Sequence, residues 1–592
     1  MLTIKINNIP VKVEEGMTIL EAARKVGIDV PTLCYHDDLC ISGNCRVCVV
    51  EEKNKKTLTA SCATFVEEGM EILTHSAKVQ TARKHIVELL LSEHAEECTK
   101  CYKNGNCELQ DLASKYAVGD FLFLDLVKDR SWVIDDSSPS IQYDPGKCIR
   151  CQRCVRTCAE IQGVNALTVG EKGKDMHITT FMGLPLNNVV CTNCGQCVNR
   201  CPTGALTERR YYDEIWEAIG DESKHVIVNT APSVRVALGE MLGFPVGTRV
   251  TGKMAAALKQ MGVDSVLDTD FSADLTIVEE GNELLQRLKK ALVNKEKVAL
   301  PMITSCSPGW VKFIEHMFPN HLDHLSTCKS PQQMFGALAK TYYAEKMNLD
   351  PKNIVSVSIM PCSAKKYESN RPEMHSSGYQ DIDAGLTTRE LGTMIKQAGI
   401  NFLELEDKPF DSIMGDSTGA GVIFGATGGV MEAALRTAYE VVTGKPVPFD
   451  NLEIVPVRGT EGIREATIKI EGCLPEWDFL EGVELKVAVA HGLKNARIIM
   501  EQIESGTSPY HFIEIMACPG GCIGGGGQPI PTNEEIRKKR IEAIYEEDRN
   551  MKIRKSHENP EIKMIYKEFL KEPLGEKSHH LLHTRYTKRH KF

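Results

Sequence analysis

Hydrophobic and polar residues alternate at the start of the chain, in LTIKI from residue 2 and VKV from residue 11. Such alternation is typical of half-buried strands. Thr18 and Glu21 then form a T-x-x-E capping box before the helical run ILEAARKVG, and Gly27 is placed to end that helix. A hairpin followed by a crossing helix predicts a small β-grasp module over residues 1–78.

The pattern changes beyond residue 222, where apolar runs alternate with helical stretches such as TTRELGTMIKQAG. The apolar runs are HVIVNT, VALPMIT, NIVSVSI, LKVAVAHG and HFIEIMA. Runs of this kind are typical of parallel strands that helices bury on both faces. We therefore predict an α/β domain over residues 222–532, followed by a charged, mostly helical segment over 533–592. The predicted fold class of the whole chain is multidomain, α+β and α/β.

Composition narrows the class of protein without identifying it. The 592 residues suffice for several domains, and 42% hydrophobic with 25% charged residues excludes a disordered chain. The sequence has no apolar run long enough to span a membrane and no basic-then-apolar signal peptide. A net charge of -10 disfavours nucleic acid and anionic membranes as partners. We expect a cytoplasmic protein.

Cysteine is unusually frequent near the N-terminus, since 16 of the 22 cysteines lie in the first 201 residues. Disulfide scaffolds are usually short and secreted, and we expect this chain to be neither. Clustered thiols in a reducing compartment indicate metal ligands.

The first cluster of thiols, C-x10-C-x2-C-x13-C, consists of Cys34, Cys45, Cys48 and Cys62. Four thiolates suit a [2Fe–2S] cluster, and the distant fourth cysteine is similar to the plant-type ferredoxin arrangement. A zinc ribbon is the alternative, and the β-grasp context favours iron–sulfur. Cys40 lies inside the loop and is predicted to be a bystander.

The second cluster, H-x3-C-x2-C-x5-C, consists of His94, Cys98, Cys101 and Cys107. One histidine with three cysteines is also a common structural zinc set. A position between two iron–sulfur modules favours a His-ligated [4Fe–4S] cluster, in a module predicted over residues 79–118. A neutral imidazole in place of a thiolate should raise the reduction potential.

The next pattern, C-x2-C-x2-C-x3-C, occurs twice between residues 139 and 210. It is typical of bacterial two-cluster ferredoxins, in which the fourth cysteine of each run serves the other cluster. A zinc interpretation is much weaker here. The predicted ligand sets of two [4Fe–4S] clusters are Cys148, Cys151, Cys154 and Cys201, and Cys191, Cys194, Cys197 and Cys158.

Three loops of the α/β domain each follow a strand-like run and carry cysteine. They read TSCSPGW from Thr304, MPCSAK from Met360 with Glu368 beyond it, and EIMACPGGCIGGGGQP from Glu514. Sites in open α/β sheets form at the carboxyl ends of strands. Any one of these cysteines could be a buried structural thiol, but three such loops behind a row of predicted clusters indicate a functional centre.

These loops resemble the signature motifs of the iron-only ([FeFe]) hydrogenases, TSCCPxW, MPCxxKxxE and ExMACxxGCxxGGGxP. The second and third motifs match in full, and the resemblance covers nearly the whole chain. The resemblance implies reversible conversion of protons and electrons to H₂, with electrons passing along the N-terminal clusters. It also implies three accessory [4Fe–4S] clusters, one [2Fe–2S] cluster, and an H-cluster, which is a cubane joined to a diiron unit carrying CO, cyanide and a dithiolate.

The resemblance assigns roles to residues of the three loops. Cys362, Cys518 and Cys522 correspond to ligands of the cubane, with Cys522 bridging to the diiron unit, and Lys365 corresponds to a donor toward cyanide. The remaining residues that match pocket positions of the family are Pro232, Ser233, Gln332, Met360, Phe424 and Met516.

The first motif departs from the family, because Cys306 is followed by Ser307 where the commoner form has two cysteines. An ungapped alignment gives Cys306 the proton-relay position and Ser307 the position of the fourth cubane ligand. Serine is a poorer ligand for iron than thiolate. We therefore favour Cys306 as the ligand and Ser307 as the relay hydroxyl, and both assignments remain open.

The family's proton route matches Glu280, Glu283, Arg287 and Ser326. The two glutamates are i, i+3 neighbours on one helix face, which suits a chain of carboxylates. From the sequence pattern alone, a solvated helix face is the better interpretation of them. Cys328 and Cys473 match no ligand position and are predicted to be buried thiols.

The chain carries no G-x-G-x-x-G fingerprint after a strand and no P-loop lysine motif, so we expect NAD(P) to be bound elsewhere. The expected partners are a ferredoxin or flavoprotein NAD(P)-dehydrogenase subunits, together with proteins that mature the diiron cofactor. Two alternatives remain. The N-terminal third also resembles the large iron–sulfur subunit of respiratory NADH dehydrogenase, an electron conduit, and some hydrogenase-like proteins serve sensing or cluster assembly.

Overall fold

A computed structural model describes residues 1–119 and 133–591, so the last residue of the predicted C-terminal segment, Phe592, lies outside the described part. The N-terminal module is a sheet with strand order β2-β1-β5-β3-β4, in which β1 is antiparallel to β2 and parallel to β5. Thr18 and Glu21 form the predicted capping box at the start of helix α1. The elements are β1 (Leu2–Ile6), β2 (Ile9–Val13), α1 (Ile19–Lys25), β3 (Val49–Glu52), β4 (Thr59–Ala60) and β5 (Glu71–Leu73).

Two helices, followed by a region with two short antiparallel strand pairs, connect this module to the rest of the chain. Strand β6 pairs with β9, and β7 pairs with β8, both antiparallel. A short helix contains the third cysteine of each C-x2-C-x2-C run. These elements are α2 (Ala77–Leu91), α3 (Glu108–Lys115), β6 (Ile141–Tyr143), α4 (Arg153–Arg156), β7 (Thr168–Gly170), β8 (His177–Thr179), α5 (Gln196–Arg200) and β9 (Leu206–Glu208).

The C-terminal two thirds contain two four-stranded sheets, of order β11-β10-β13-β14 and β12-β17-β16-β15. The first sheet is wholly parallel, and the second is parallel except for β15. The predicted parallel sheet is thus two sheets with one antiparallel edge strand. The strands are β10 (His225–Thr230), β11 (Ser265–Asp268), β12 (Met302–Ile303), β13 (Ile354–Met360), β14 (Ala384–Thr387), β15 (Ile463–Lys469), β16 (Glu484–His491) and β17 (Phe512–Met516).

Helix α8 is the central helix of this domain, and both apolar and acidic side chains are buried along most of its length. It packs against α10, α14 and α15. The helices of this domain are α6 (Tyr212–Gly220), α7 (Thr251–Gln260), α8 (Thr269–Leu292), α9 (Pro308–Met317), α10 (Pro331–Leu338), α11 (Ala344–Met347), α12 (Ala364–Ser369), α13 (Thr388–Gln397), α14 (Gly419–Val422), α15 (Gly429–Thr443) and α16 (Leu493–Glu504).

The C-terminal segment is helical as predicted, and its helices pack against the α/β domain. Its helices are α17 (Glu534–Asn550), α18 (Pro560–Ile565) and α19 (Glu576–Leu582). Helix α17 packs on α14, α18 on α8 and α19 on α10. None of the helices in the described part of the chain is both long and apolar enough to cross a membrane.

Candidate active site

A cavity lies where the carboxyl ends of strands from both sheets meet. Loops that follow β10, β12, β13 and β17 supply most of its wall, as expected for sites in open α/β sheets. The predicted site residues that line it are Pro232, Cys306, Ser307, Gln332, Met360, Cys362, Lys365, Phe424, Met516, Cys518 and Cys522.

The thiols of Cys362, Cys518 and Cys522 are close enough to perturb one another. Burial, and then the neighbouring thiols, raise the pKa of Cys518, and the same causes raise that of Cys522 to about 12. Buried thiols at one wall of an apolar cavity are the soft donors that iron–sulfur clusters require. The donor set therefore fits a cubane.

Cys306 and Ser307 point to different neighbours. Burial, and then the charges of Glu280 and Cys522, raise the pKa of Cys306, so this thiol lies near both helix α8 and a predicted cubane ligand. The Ser307 hydroxyl accepts a hydrogen bond of 3.2 Å from the backbone N–H of Ala517, the residue before Cys518. Both residues line the cavity, and their assignment as ligand and relay stays a prediction.

Lys365 is held at the cavity wall by two hydrogen bonds. Its Nζ donates to the Cys306 carbonyl oxygen (3.1 Å) and to Glu368 Oε2 (2.9 Å). The Gln332 amide donates to the same carboxylate oxygen (3.1 Å). Because Glu368 is only 4% exposed, the ammonium group is fixed in place by a buried counter-charge.

The other predicted pocket residues divide into two groups. Met360, Met516 and Phe424 are almost fully buried and give the cavity apolar walls. Ser233 does not line the cavity. It lies buried behind Pro232, and its hydroxyl has no hydrogen-bond partner within the described residues.

A row of hydrogen-bonded polar side chains extends from Glu280 through Ser326 and Glu283 to Arg287. Burial, and then Glu283, raise the pKa of Glu280 to about 8 although a Ser326 hydrogen bond opposes the shift. Ser326 Oγ donates to Glu283 Oε2 (2.9 Å), and Arg287 Nη2 donates to Glu283 Oε1 (2.7 Å). Glu280 is 2% exposed, so the alternative of a solvated helix face is wrong.

The glycine run after Cys522 brings the cavity close to one ferredoxin-like loop. A Cβ on Gly526 would lie 2.1 Å from the carbonyl oxygen of Cys194, a contact that no larger residue can make. Gln196 and Asn199 of α5 donate to the carbonyl oxygens of Gly524 and Gly525, each at 2.9 Å. These contacts fix the two cysteine-rich regions against each other.

Two smaller cavities separate the eight ferredoxin-like cysteines into the predicted sets. One cavity is bordered by Cys158 from the first run and by three cysteines of the second. The other is bordered by Cys201 and three cysteines of the first run. The structure thus brings together the two sets of cysteines that the spacing predicts, and their roles as cluster ligands stay predictions.

The histidine and cysteine module lies beside the second of these cavities. His94 is 8% exposed, and neither of its ring nitrogens has a hydrogen-bond partner in residues 1–119 or 133–591. A buried imidazole without partners is costly unless it binds a ligand. A Cβ on Gly204 would lie 2.6 Å from Cys101 Sγ, which places this module against the ferredoxin-like region, and Cys98 and Cys107 complete its predicted ligand set.

The cysteines of the β-grasp module also converge. Cys45 N–H donates to Cys34 Sγ (3.4 Å), and the sulfurs of Cys48 and Cys62 are 3.3 Å apart. Cys40 is exposed, and its thiol donates to Glu160 (2.7 Å).

Some site residues were not singled out from the sequence. Thr269 and Ala273 of α8 line the cavity, and no local signal marks them. Glu514, which belongs to the third motif, accepts hydrogen bonds from the backbone N–H groups of Gly428 (2.7 Å) and Met431 (2.8 Å). It thereby anchors the strand that carries the motif.

Of the two cysteines predicted to be buried thiols outside the clusters, only Cys328 is buried. Cys473 is half-buried, because it lies in a surface turn whose N–H groups bond to Glu481.

A cavity lined by thiols lies at the carboxyl ends of the strands, and the chain carries several further cysteine clusters before it. Together these features are typical of a redox enzyme with iron–sulfur domains. Residues 224–526 match the family described as "Iron only hydrogenase large subunit, C-terminal domain", and 534–589 match "Iron hydrogenase small subunit". The chain belongs to the iron-only ([FeFe]) hydrogenase family, and it is an enzyme of that class. This confirms the predicted family and the multidomain fold class.

The N-terminal regions match iron–sulfur families as well. Residues 1–77 match a 2Fe-2S iron-sulfur cluster binding domain, 83–120 the NADH-ubiquinone oxidoreductase-G iron-sulfur binding region, and 138–207 the ferredoxin-like domain of NADH-quinone oxidoreductase subunit 3. Iron–sulfur cofactors are thus part of this protein.

Two relatives match this chain over almost its full length. The NADP-reducing hydrogenase subunit HndD of Solidesulfovibrio fructosivorans is 49% identical over 100% of this chain and 99% of its own. Iron hydrogenase 1 of Clostridium pasteurianum is 40% identical over 99% and 100%. A solved [FeFe]-hydrogenase structure from Chlamydomonas reinhardtii has a TM-score of 0.57 and 42% identity, covering 64% of this chain and 98% of that chain.

Proposed function

We propose that the chain interconverts protons, electrons and H₂ at an H-cluster held in the cavity between its two sheets. The observation that carries the proposal is an apolar cavity lined by thiols and the Lys365 ammonium, with the buried carboxylate of Glu280 on the helix that forms part of its wall. A redox centre that exchanges protons needs both a conduit for electrons and a conduit for protons, and these groups are suited to both.

The residues fit the cofactor. Cys362, Cys518 and Cys522 would hold the cubane, with Cys522 shared with the diiron unit. When bound, an H-cluster supplies the reversible reduction of protons to H₂. The protein supplies apolar walls that exclude water, and Lys365 offers a donor toward anionic ligands because Glu368 fixes its direction.

Protons would reach the cavity along helix α8. We infer that Cys306 is the group nearest the cofactor and that Glu280, Ser326, Glu283 and Arg287 extend the row toward the surface. Ser307 then occupies the place of the fourth ligand, where the Ala517 N–H would stabilise an alkoxide.

Electrons would travel along four accessory clusters. The proposed route ends at the set that includes Cys194, whose loop touches the glycine run of the cavity. The preceding steps are the other ferredoxin-like set, the His94 module and the [2Fe–2S] module. We propose domains at residues 1–78, 79–118, 139–210, 222–532 and 533–592 for these units.

The electron partner is proposed to be either a ferredoxin or a flavoprotein subunit that handles NAD(P). The name of the relative that is a subunit of an NADP-reducing hydrogenase supports the second. Loading of the diiron unit would require maturation proteins.

The test is H₂ evolution from reduced methyl viologen by the full chain, purified anaerobically and loaded with the diiron cofactor. Infrared bands of bound CO and cyanide measure loading. We expect rapid evolution by the wild type and none by Cys522→Ala, which cannot share its sulfur with the diiron unit. Full loading without H₂ evolution would contradict the proposal and favour a sensing role.

A further inference from the structure

The loop that supplies Ser326 is joined to the C-terminal segment by backbone hydrogen bonds. His583 follows helix α19 and pairs with Cys328 as an isolated antiparallel bridge. Thr584 N–H donates to the Thr327 carbonyl (2.7 Å), and Lys329 N–H donates to the Leu582 carbonyl (2.8 Å). The imidazole of His583 is therefore held at a fixed position beside the proposed proton route.

Thr327 connects this imidazole to the route. Its Oγ1 lies 2.8 Å from His583 Nδ1 and 3.2 Å from Glu283 Oε2. Its backbone N–H also donates to Glu283 Oε2 (3.0 Å), which holds the carboxylate in place. A hydroxyl has one proton and can accept another, so it can pass a proton between two such neighbours.

The opposite edge of the His583 ring faces a second acid. Nε2 lies 3.2 Å from Glu279 Oε2, and Tyr566 donates to Glu279 Oε1 (2.5 Å). Although burial opposes it, hydrogen bonds from His583 and Tyr566 lower the pKa of Glu279, so this carboxylate is ionised. Nε2 of the neutral ring then carries the proton, and Nδ1 is free to accept one.

The side chains packed around the His583 ring include exposed and half-buried groups. His583 is 6% exposed, whereas His579 is exposed and stacks on it with ring centroids 4.4 Å apart. Tyr566, on the far side of Glu279, is half-buried. The Cys328 thiol and the Glu283 carboxylate also lie close to the ring, and the Tyr586 hydroxyl, which donates to the Ser326 carbonyl, lies near both of them.

We propose that the proton route forks at Glu283, with one arm through Arg287 and a second through Thr327 and His583 toward Glu279 and the half-buried Tyr566. In the outward direction, protonated Glu283 gives its proton to Thr327 Oγ1 as the hydroxyl proton passes to His583 Nδ1. The imidazolium then releases its Nε2 proton toward Glu279 and water. No bond other than those to the proton changes, and no electron moves.

This second arm rests on the proposed hydrogenase function and adds a group from outside the three motifs. His583 acts through Thr327 and Glu283, so it is a positioning and proton-exchanging residue and not part of the cofactor pocket. A purely structural role of the same contacts, as a clamp for the C-terminal segment, is the alternative that the experiment must separate.

The experiment compares matched variants of the fully loaded chain in H₂ oxidation, in which protons must leave. Thr327→Val removes the hydroxyl and keeps the shape, whereas Thr327→Ser keeps the hydroxyl. His583→Gln keeps hydrogen-bonding groups without a titratable ring, and His580→Gln is the exposed control. We expect Thr327→Val and His583→Gln to lose about tenfold, less than the ~10²-fold typical of a sole acid–base group, because the Arg287 arm remains.

Three further readouts identify proton transfer. The solvent deuterium isotope effect should rise in Thr327→Val and not in Thr327→Ser, and the pH–rate profile should change in His583→Gln. Added imidazole should restore the rate of His583→Ala. Combining Thr327→Val with Arg287→Met should lower the rate by more than the product of the two single effects.

Equal losses in Thr327→Val and Thr327→Ser, with an unchanged isotope effect and no imidazole rescue, would overturn the fork and leave a clamp. Wild-type rates in every variant would overturn it as well. An inactive but loaded wild type would instead refute the proposed function, so the two failures are distinguishable.

Discussion

Replacing Glu280 by glutamine tests the proton route and the electrostatics of helix α8 together. Glu280 is 2% exposed, and burial followed by the Glu283 carboxylate raises its pKa from 4.5 to about 8. At 1.36 kcal/mol for each unit of pKa, that difference corresponds to a preference of about 5 kcal/mol for the protonated form in the folded protein. The same burial that makes Glu280 a proton donor near neutral pH therefore destabilises the fold whenever it is ionised.

The sign of the pH dependence follows from linkage. The folded-state pKa is above that of the unfolded chain, so between pH 4.5 and about 8 the folded protein holds a proton that the unfolded chain releases. Stability falls as the pH rises through that window, by up to about 5 kcal/mol. An amide cannot ionise, so the stability advantage of Glu280→Gln over wild type should grow from about pH 5 to about pH 8.

The assay has two parts on the same anaerobic preparations. Midpoints of unfolding are measured across this pH range, and H₂ evolution is measured from reduced methyl viologen. We expect evolution to fall by about 10²-fold or more in Glu280→Gln, and wild-type rates to decline above about pH 8 as the donor ionises. Glu296→Gln, an exposed charge change just beyond the same helix, is the control. Wild-type pH dependence of stability in Glu280→Gln, or wild-type turnover, would refute the reasoning.

Other changes test the remaining assignments. Cys306→Ala should abolish turnover yet leave the iron content and the electron paramagnetic resonance signal of the cubane intact. Ser307→Cys should change that signal when it is measured on the chain without the diiron unit. Loss of cubane iron in Cys306→Ala would instead show that Cys306 is the ligand. Gly526→Ala places a methyl 2.1 Å from the Cys194 carbonyl, so it should destabilise the protein by about 1–3 kcal/mol and slow electron delivery, and normal stability would contradict the packing. His94→Cys adds negative charge and should lower the potential of its cluster in a redox titration, with no change if His94 is not a ligand.

The cluster sets could be predicted from the sequence because most cluster ligands lie in short loops, where spacing expresses coordination chemistry. Even the exchange of Cys158 and Cys201 between the two ferredoxin-like cavities follows from the local pattern. The first motif shows the limit of predicting ligands from cysteine spacing. Ligand softness favours Cys306 as the iron ligand, but in the folded loop Ser307 accepts the N–H of Ala517, beside Cys518, and Cys306 lies near both Glu280 and Cys522.

The proton route could not be predicted from the pattern of helix α8. Glutamates three residues apart normally face solvent, and only the resemblance to a family indicated otherwise. Burial of this face depends on α10, α14 and α15, which pack on α8 from distant parts of the chain. Glu280 and Glu283 are tolerated there because Ser326, Thr327 and Arg287 supply hydrogen bonds that no local rule relates to them.

The C-terminal segment makes the same argument more strongly, since the sequence pattern predicts only that it is charged and mostly helical. Many of its charges are instead paired within the catalytic domain. Arg540 bonds to Glu240 (2.6 Å), and Asp548 to Arg436 (2.9 Å). His583 reaches Glu279 across 304 residues of sequence. Because removing one partner of a buried pair leaves an uncompensated charge, the segment is bound to the domain at each of these points. The outer side of the proposed proton route is therefore formed by the C-terminal segment, and truncation before His583 should impair proton exchange while leaving all predicted cluster ligands in place.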